Sequence, residues 1–205
     1  KTFEEASRIH DGGVMTIGGT VNKVAFLLLM VMAAAVYSWG LFSKGENVTP
    51  FMIGGAIGGF ILALVIIFKK EWAPYLAPAY ALAEGLFLGA ISAYYGSLYE
   101  GIVLQAVGLT FGTFLAMLAL YKFQVIRATE KFRAIIITAT AGIAIFYLIA
   151  MVLRMFNINI PFLHEGSTFG IIFSFVVVGI AALNLILDFD MIENGAAQGA
   201  PKYFE

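Results

Sequence analysis

Long apolar runs, separated by short polar stretches, dominate the pattern of this chain. Each run is about as long as the roughly 17–25 residues that an α-helix needs to cross a bilayer. Transmembrane β-strands would be shorter and would alternate apolar with polar residues, and these runs do neither. We therefore predict an all-α, polytopic membrane helical bundle. The six predicted spans are Val24–Phe42, Phe51–Phe68, Pro74–Tyr95, Gly101–Tyr121, Ala134–Leu153 and Thr168–Leu187.

The amino-acid composition also indicates a membrane protein. The chain has 205 residues, of which 61% are hydrophobic and 12% charged, whereas a soluble domain averages about 45–50% apolar and about 25% charged residues. Most of the outer surface must therefore meet the lipid bilayer. The net charge of −1 gives no reason to expect nucleic acid as a partner. The absence of cysteine excludes disulfides, thiolate metal sites and thiol nucleophiles.

The distribution of basic residues predicts the orientation. By the positive-inside rule, both ends of this chain face the cytoplasm. Residues 1–23 form a cytoplasmic arm, 24–190 the bundle and 191–205 a cytoplasmic tail. The outer loop Met155–Gly166 is mostly apolar and is expected to lie on the bundle. The basic residues assigned to the cytoplasmic side are Lys1, Arg8, Lys23, Lys69, Lys70, Lys122, Arg127, Lys131, Arg133 and Lys202, against Lys44 and Arg154 outside.

Glycines four residues apart recur in three of the predicted spans. Small residues at this spacing let helix backbones approach closely in lipid. They indicate either a homodimer seam or packing inside the bundle, and we favour internal packing because a compact bundle needs such faces. The pairs are Gly54 with Gly58, Gly55 with Gly59, Gly85 with Gly89, and Gly108 with Gly112.

Acids at the end of the sixth span are the first candidate functional residues. Asp188, Asp190 and Glu193 follow the apolar run directly. Asn184 lies four residues before Asp188 and shares its helical face, whereas Asp190 lies about 200° around the helix from Asp188. The simplest alternative is that these acids are only solvated at the end of the helix. This alternative suits Glu193 well, Asp190 moderately and Asp188 least.

An acid at the depth of Asp188 needs a partner, either a second carboxylate, a basic residue or a cation. Two carboxylates in contact repel each other, so such a pair would respond to pH and would bind a hard cation such as calcium through its oxygens. Lys69 and Lys70, on the same side of the membrane, are alternative partners.

Glu84 is the deepest charge in the predicted bundle, near the middle of the third span. A carboxyl group there must face the bundle interior or water. It is interpreted either as a cation or proton relay or as a neutral acid that donates a hydrogen bond to a neighbouring helix. A set of polar uncharged residues in the fourth and fifth spans is expected to form hydrogen bonds between helices more readily than to line a pore. They are Gln105, Thr110, Thr113, Thr138 and Thr140.

No enzyme motif appears in the sequence. It contains no nucleophile elbow, phosphate loop, zinc motif or dinucleotide fingerprint. His10 and His164 are assigned to opposite sides of the membrane and cannot share a metal. Glu84 and Asp188 are expected to lie roughly 10–15 Å apart along the membrane normal, which is too far for a paired acid–base site. We therefore predict no catalytic residues and no cofactor.

Three stretches resemble the transmembrane Bax inhibitor motif family, in particular its bacterial branch. They are Tyr80–Gly89, which is aromatic and punctuated by glycine, Thr110–Tyr121 with the basic loop that follows it, and Asp188–Ile192. The resemblance covers the chain from about Lys23. It implies a fold of seven helices, six around a central seventh, so that the tail 191–205 would lead to a seventh helix beyond this chain.

The same resemblance implies a pH-sensitive calcium leak, closed by a pair of carboxylates on helices six and seven near the cytoplasmic face. Asp188 matches the helix-six member of that pair, whereas Asp190 falls where relatives usually have an amide or another polar residue. Glu84 falls where many relatives have no acid. Asp188 is thus the expected gate and calcium ligand, and Glu84 the expected pore or relay acid.

The sequence leaves a second function open. Some members of the family resemble regulators that bind a membrane protease or another integral membrane protein and transport nothing. The basic loop Lys122–Arg133 and the amino-terminal arm would then form the surface that binds the partner.

Overall fold

The computed structural model describes residues 13–156 and 168–205. The predicted arm up to residue 12, residues 157–166 of the predicted outer loop, and both histidines lie outside this part of the chain. The described residues form six long helices, each apolar enough to cross a membrane, which confirms the predicted all-α membrane bundle. The helices are α1 (Ile17–Ser43), α2 (Thr49–Phe68), α3 (Ala73–Leu98), α4 (Ile102–Lys122), α5 (Glu130–Met155) and α6 (Thr168–Ala197).

Two short 3₁₀ helices, Lys70–Trp72 and Lys202–Phe204, accompany these spans. The first lies between α2 and α3, and the second lies in the tail, after α6. The two 3₁₀ helices are in contact with each other. Within the described residues, extended pairing is limited to a single antiparallel bridge between Val14 and Pro201.

The ends of α1 and α6 differ from the predicted span limits for local chemical reasons. Helix α1 begins at Ile17, because the Thr16 hydroxyl caps it by accepting a hydrogen bond from the Gly19 N–H at 3.0 Å. Helix α6 continues past its apolar run to Ala197, so the acids predicted to end the helix lie within it. The helix ends at Ala197, shortly before Gly199, whose φ of +65° is the left-handed conformation common after a helix.

The fold divides into two compact units. The first contains residues up to Gly108 together with the tail from Ile192, and the second contains Leu109–Met191. Each unit is described separately.

Helix α3 is the centre of the first unit, and glycines bring its neighbours to backbone distance. A Cβ atom at Gly55 of α2 would lie 2.6 Å from the Ala83 carbonyl oxygen of α3. A Cβ atom at Gly85 would lie 2.8 Å from the Ala34 Cβ of α1, and one at Gly89 would overlap the Ala35 carbonyl oxygen. Only glycine fits at such approaches, so these three residues serve packing inside the bundle, as we favoured.

The other members of the glycine pairs separate into two groups. At Gly59 an added Cβ would meet the side chain of Glu84. At Gly54, Gly58, Gly108 and Gly112 it would meet nothing within 4 Å among the described residues. The glycine pattern is therefore shared between close helix contacts and open surface.

Side chains rather than glycines connect the helices of the second unit. The Phe189 ring of α6 contacts two rings of α4, Phe114 at a centroid distance of 5.6 Å and Tyr121 at 5.9 Å. Phe146 of α5 meets Phe173 of α6 edge to face at 5.3 Å. Such aromatic pairs add directional contacts to the area that they bury.

Candidate functional site at the end of helix α6

Helix α6 carries its acids at about the depth where a span leaves the hydrocarbon. Asp188 lies 20 residues after Thr168 in an unbroken helix, and 20 residues at about 1.5 Å each extend roughly 30 Å. The hydrocarbon core is about 30 Å thick. A helix that enters the core near Thr168 therefore brings Asp188 to the opposite boundary.

Asp190 is the member of the acid group that has a basic partner. Its Oδ2 accepts a hydrogen bond from Arg133 Nη2 at 2.6 Å, and the pair is a salt bridge. The Asp190 side chain is 17% exposed and the Arg133 side chain 40% exposed. The pair is therefore partly exposed to solvent, and it connects the C-terminal part of α6 to the first turns of α5.

The beginning of α5 positions Arg133. The Thr129 hydroxyl caps this helix by accepting a hydrogen bond from the Phe132 N–H at 3.2 Å. Arg133 follows one turn later and donates its backbone N–H to the Thr129 carbonyl oxygen. In the sequence, Arg133 served only to mark the cytoplasmic side. The positive-inside pattern already placed it on the side of Asp190, but no pattern in the sequence paired the two residues.

Asp188 differs from Asp190 although only one residue separates them. It is exposed, and within residues 13–156 and 168–205 its carboxylate makes no hydrogen bond or ion pair. The angular offset expected from helix geometry explains the difference, because the two side chains point to different faces of α6. Among the described residues, the partner expected for Asp188 is therefore not found, neither a basic side chain nor a second carboxylate.

Asn184, one turn before Asp188, anchors its face of the helix. Its Nδ2 donates to the Thr140 Oγ1 of α5 at 2.8 Å and to the Ile180 carbonyl oxygen at 2.9 Å. This contact confirms the expected hydrogen bond between helices at Thr140. Between Asp188 and Asp190, Phe189 packs against α4, as described above. Asp188 therefore lies on a stretch of α6 that contacts α4 and α5 on either side of it, while its own carboxylate has no partner in the described part of the chain.

Glu84 belongs to the first unit, and its carboxylate lies against Gly59 of α2. A Cβ atom at Gly59 would lie 3.1 Å from Glu84 Oε2 and 3.9 Å from Tyr80 Cε2. Glu84 is half-buried, and within the described chain its carboxylate makes no hydrogen bond. Because Gly59 has no Cβ atom, it leaves the space that the Glu84 carboxylate fills between α2 and α3.

Lys69 and Lys70 also belong to the first unit, and both are exposed. Lys69 caps the end of α2 through its backbone N–H, which donates to the Val65 carbonyl oxygen. The Lys70 ammonium lies 5.7 Å from the centre of the Phe204 ring in the tail, within the range of a cation–π contact. The part of the chain that the structure describes contains no group of three or more metal-ligating side chains close enough to hold a metal ion.

Six apolar helices among the described residues, each long enough to cross a bilayer, define a polytopic membrane protein. The Bax inhibitor 1 like family model matches residues 1–205, the whole chain, so the protein belongs to this family. No significant match was found among curated proteins or among solved structures.

Proposed function

We propose that this member of the Bax inhibitor 1 like family is a pH-sensitive calcium leak channel. The observation that carries the proposal is the contrast at the end of α6, where Asp190 is neutralised by Arg133 at 2.6 Å and Asp188 is exposed and unpaired in the described chain. Membership of the family supports it, because the resemblance implies this activity.

The chemistry of Asp188 fits a site where calcium and protons compete. An ionised carboxylate at the end of a span attracts a hard cation through its oxygens. A proton that binds the same oxygens removes the charge and with it the attraction. Asp190 contributes less to this competition, because Arg133 already compensates its charge. Asp188 is thus the proposed gate, and the Arg133–Asp190 ion pair holds the helix that carries it.

Glu84 has a different role in the proposal. It is an acid within a span, half-buried and without a hydrogen-bond partner among the described residues. Acids within spans mark ion pathways or proton relays. We assign Glu84 to such a relay and assign no catalytic residue, so the protein acts as a passive pathway and not as an enzyme.

Calcium flux in liposomes tests the proposal. The full protein is reconstituted with a calcium indicator inside the vesicles, and flux is recorded across the neutral pH range for the parent and for Asp188→Asn. Asparagine mimics the protonated acid, so we expect flux that no longer varies with pH. Glu46→Gln removes an exposed acid in the turn between α1 and α2 and should behave as the parent. An unchanged pH profile in Asp188→Asn would refute the gate.

The proposed orientation has its own test. We propose an inner-membrane protein with both ends of this chain in the cytoplasm. Since the chain has no cysteine, a single introduced cysteine reports the side of the membrane on which it lies. Cysteine in place of Lys122 should be protected from a membrane-impermeant thiol reagent in intact cells, and cysteine in place of Glu46 should react. The opposite pattern would invert the topology.

A second candidate function rests on the loop after α4. Two apolar side chains there are strongly exposed, Phe123 at 75% and Val125 at 68%, beside the exposed Lys122 and Arg127. Exposed apolar residues framed by charge are typical of surfaces that bind a protein partner. A stoichiometric integral membrane partner that dissociates in Phe123→Ser, together with no calcium flux from the parent, would favour a regulator over a channel.

A further inference from the structure

The tail after α6 returns to the beginning of α1 and pairs with it. The Met15 N–H donates to the Ala200 carbonyl oxygen at 2.7 Å, and the Lys202 N–H donates to the Gly13 carbonyl oxygen at 3.1 Å. These bonds form the antiparallel bridge between Val14 and Pro201. Met15 and Ala200 are buried, at 5% and 0% exposure. Both segments belong to the first unit.

Glu205, in this tail, makes three polar contacts with the beginning of α1. Its Oε1 accepts hydrogen bonds from the Thr16 N–H at 2.9 Å and the Thr16 hydroxyl at 3.2 Å. Its Oε2 lies 2.8 Å from the Lys23 ammonium. The Glu205 side chain is only 3% exposed, whereas Lys23 is 42% exposed. A carboxylate at the N-terminus of a helix is also stabilised by the helix dipole.

Gly19 provides the space for this carboxylate. A Cβ atom there would lie 2.6 Å from Glu205 Cδ, so any larger residue would displace the side chain. The Thr16 hydroxyl both caps α1 and contacts Glu205, as its contacts above show. The beginning of α1 thus provides two donors, a cation and a gap that together fit one carboxylate.

The ion pair also borders a cavity of about 190 Å³ between α1, α3 and the tail. Lys23 and Glu205 line it together with Phe26, Pro74, Pro78 and Tyr203. Movement of the tail would remove Tyr203 and Glu205 from its wall. The contact therefore determines whether the tail forms part of the wall of this cavity.

We propose that Glu205 is a latch that fixes the tail across the N-terminal end of α1 and thereby keeps Tyr203 in the wall of this cavity. The latch is a conformational device of the first unit and does not depend on the proposed calcium pathway. It opens when Glu205 loses its charge or Lys23 loses its ammonium group.

The pH at which the latch opens follows from its surroundings. The hydrogen bond from Lys23 is the main cause that lowers the pKa of the Glu205 carboxyl below its ordinary value, with Thr16 adding to it and burial opposing it. The surrounding elements also carry charged or titratable groups. They are Lys23 on α1, Lys70 and Glu71 on the first 3₁₀ helix, Tyr75 on α3, and Lys202 and Tyr203 in the tail. Because the pKa is lowered, the latch is closed at neutral pH and is lost only as the pH falls through that lowered value.

Spin labels measure the latch directly. With cysteine introduced at the exposed positions Val14 and Lys202, dipolar broadening between two labels reports whether the segments are paired in the full protein. We expect broadening in the parent at neutral pH, its loss in Glu205→Gln and in Lys23→Met, and its retention in Lys23→Arg. Glu71→Gln, which removes an exposed acid of the same unit, should match the parent. In the parent, broadening should disappear only below about pH 4.3, the ordinary glutamate value.

Two outcomes would overturn the latch. One is undiminished broadening in Glu205→Gln. The other is loss of broadening in the parent near neutral pH, which would contradict the lowered pKa. Gly19→Ala gives an independent check, because it keeps every charge and only fills the space of the carboxylate. It should reduce broadening while the helical content, measured by circular dichroism, stays that of the parent; parent-like broadening in this variant would also contradict the latch.

Discussion

Helices of the first unit meet at glycines, where backbones lie within reach of each other, whereas helices of the second unit meet through side chains. In the first unit, Gly55, Gly85 and Gly89 leave no room for a Cβ atom. In the second, an ion pair, an amide hydrogen bond and a few aromatic contacts connect the helices. Backbone packing does not change with pH, but an ion pair can. The proposed gate lies in the second unit, where an ion pair joins two spans, whereas the ion pair of the first unit, Lys23–Glu205, joins α1 to the tail.

The largest effect on stability is expected from a substitution at a close backbone contact of the first unit. In Gly89→Ala, the added methyl group would overlap the Ala35 carbonyl oxygen and the Ser38 hydroxyl. Because a backbone oxygen cannot move aside without shifting α1, we expect a loss of about 1–3 kcal/mol in the free energy of unfolding. Thermal unfolding in detergent measures it. The control Gly58→Ala meets nothing within 4 Å in the described chain and should be neutral or slightly stabilising. Equal unfolding temperatures would contradict the packing described.

A smaller effect is expected from the ion pair of the second unit. Arg133 and Asp190 are both partly exposed, so solvent weakens their attraction and the pair contributes about 1 kcal/mol at most. A double-mutant cycle with Arg133→Gln and Asp190→Asn measures the coupling free energy, which we expect to be favourable and to shrink in high salt. Additive effects of the two substitutions would mean that the contact contributes nothing.

The smallest effect is expected at the hydrogen bond between α5 and α6. Side-chain hydrogen bonds between membrane helices contribute about 0.6 kcal/mol on average. Thr140→Val keeps the shape of the side chain but removes the acceptor for Asn184, so a loss of that order is expected in thermal unfolding. Thr138→Val, two residues earlier on the same helix, is the matched control. A loss at Thr140 no larger than at Thr138 would show that Asn184 relies on the Ile180 carbonyl oxygen alone.

The six spans could be predicted because hydrophobic length alone determines them. The end of the second span at Phe68 and the start of the sixth at Thr168 were predicted correctly. The start of α1 and the end of α6 were not, because the Thr16 cap starts α1 seven residues before the predicted span and α6 continues through its polar residues to Ala197, just before Gly199. The spacing of the glycines likewise could not show that Gly55 meets a neighbouring backbone whereas Gly54 meets nothing within 4 Å in the described chain. Tertiary packing determines which face of the helix is covered.

At the candidate site, the sequence identified the acids but not their environments. Helix geometry correctly separated the faces of Asp188 and Asp190. It did not reveal that Arg133 pairs with Asp190, since this contact joins residues 57 apart in the chain. The same limit applies to Glu205 and Lys23, which only the return of the tail to α1 brings together.

The most direct test of the central claim is the protonation of Asp188 itself. Infrared difference spectra of the full protein in liposomes detect the carbonyl band of a protonated carboxylic acid as the pH is lowered. The account predicts a band that grows over the same pH range in which calcium flux changes and that is missing in Asp188→Asn. A band that is identical in the parent and in Asp188→Asn throughout that range would contradict the assignment of Asp188 as the gate.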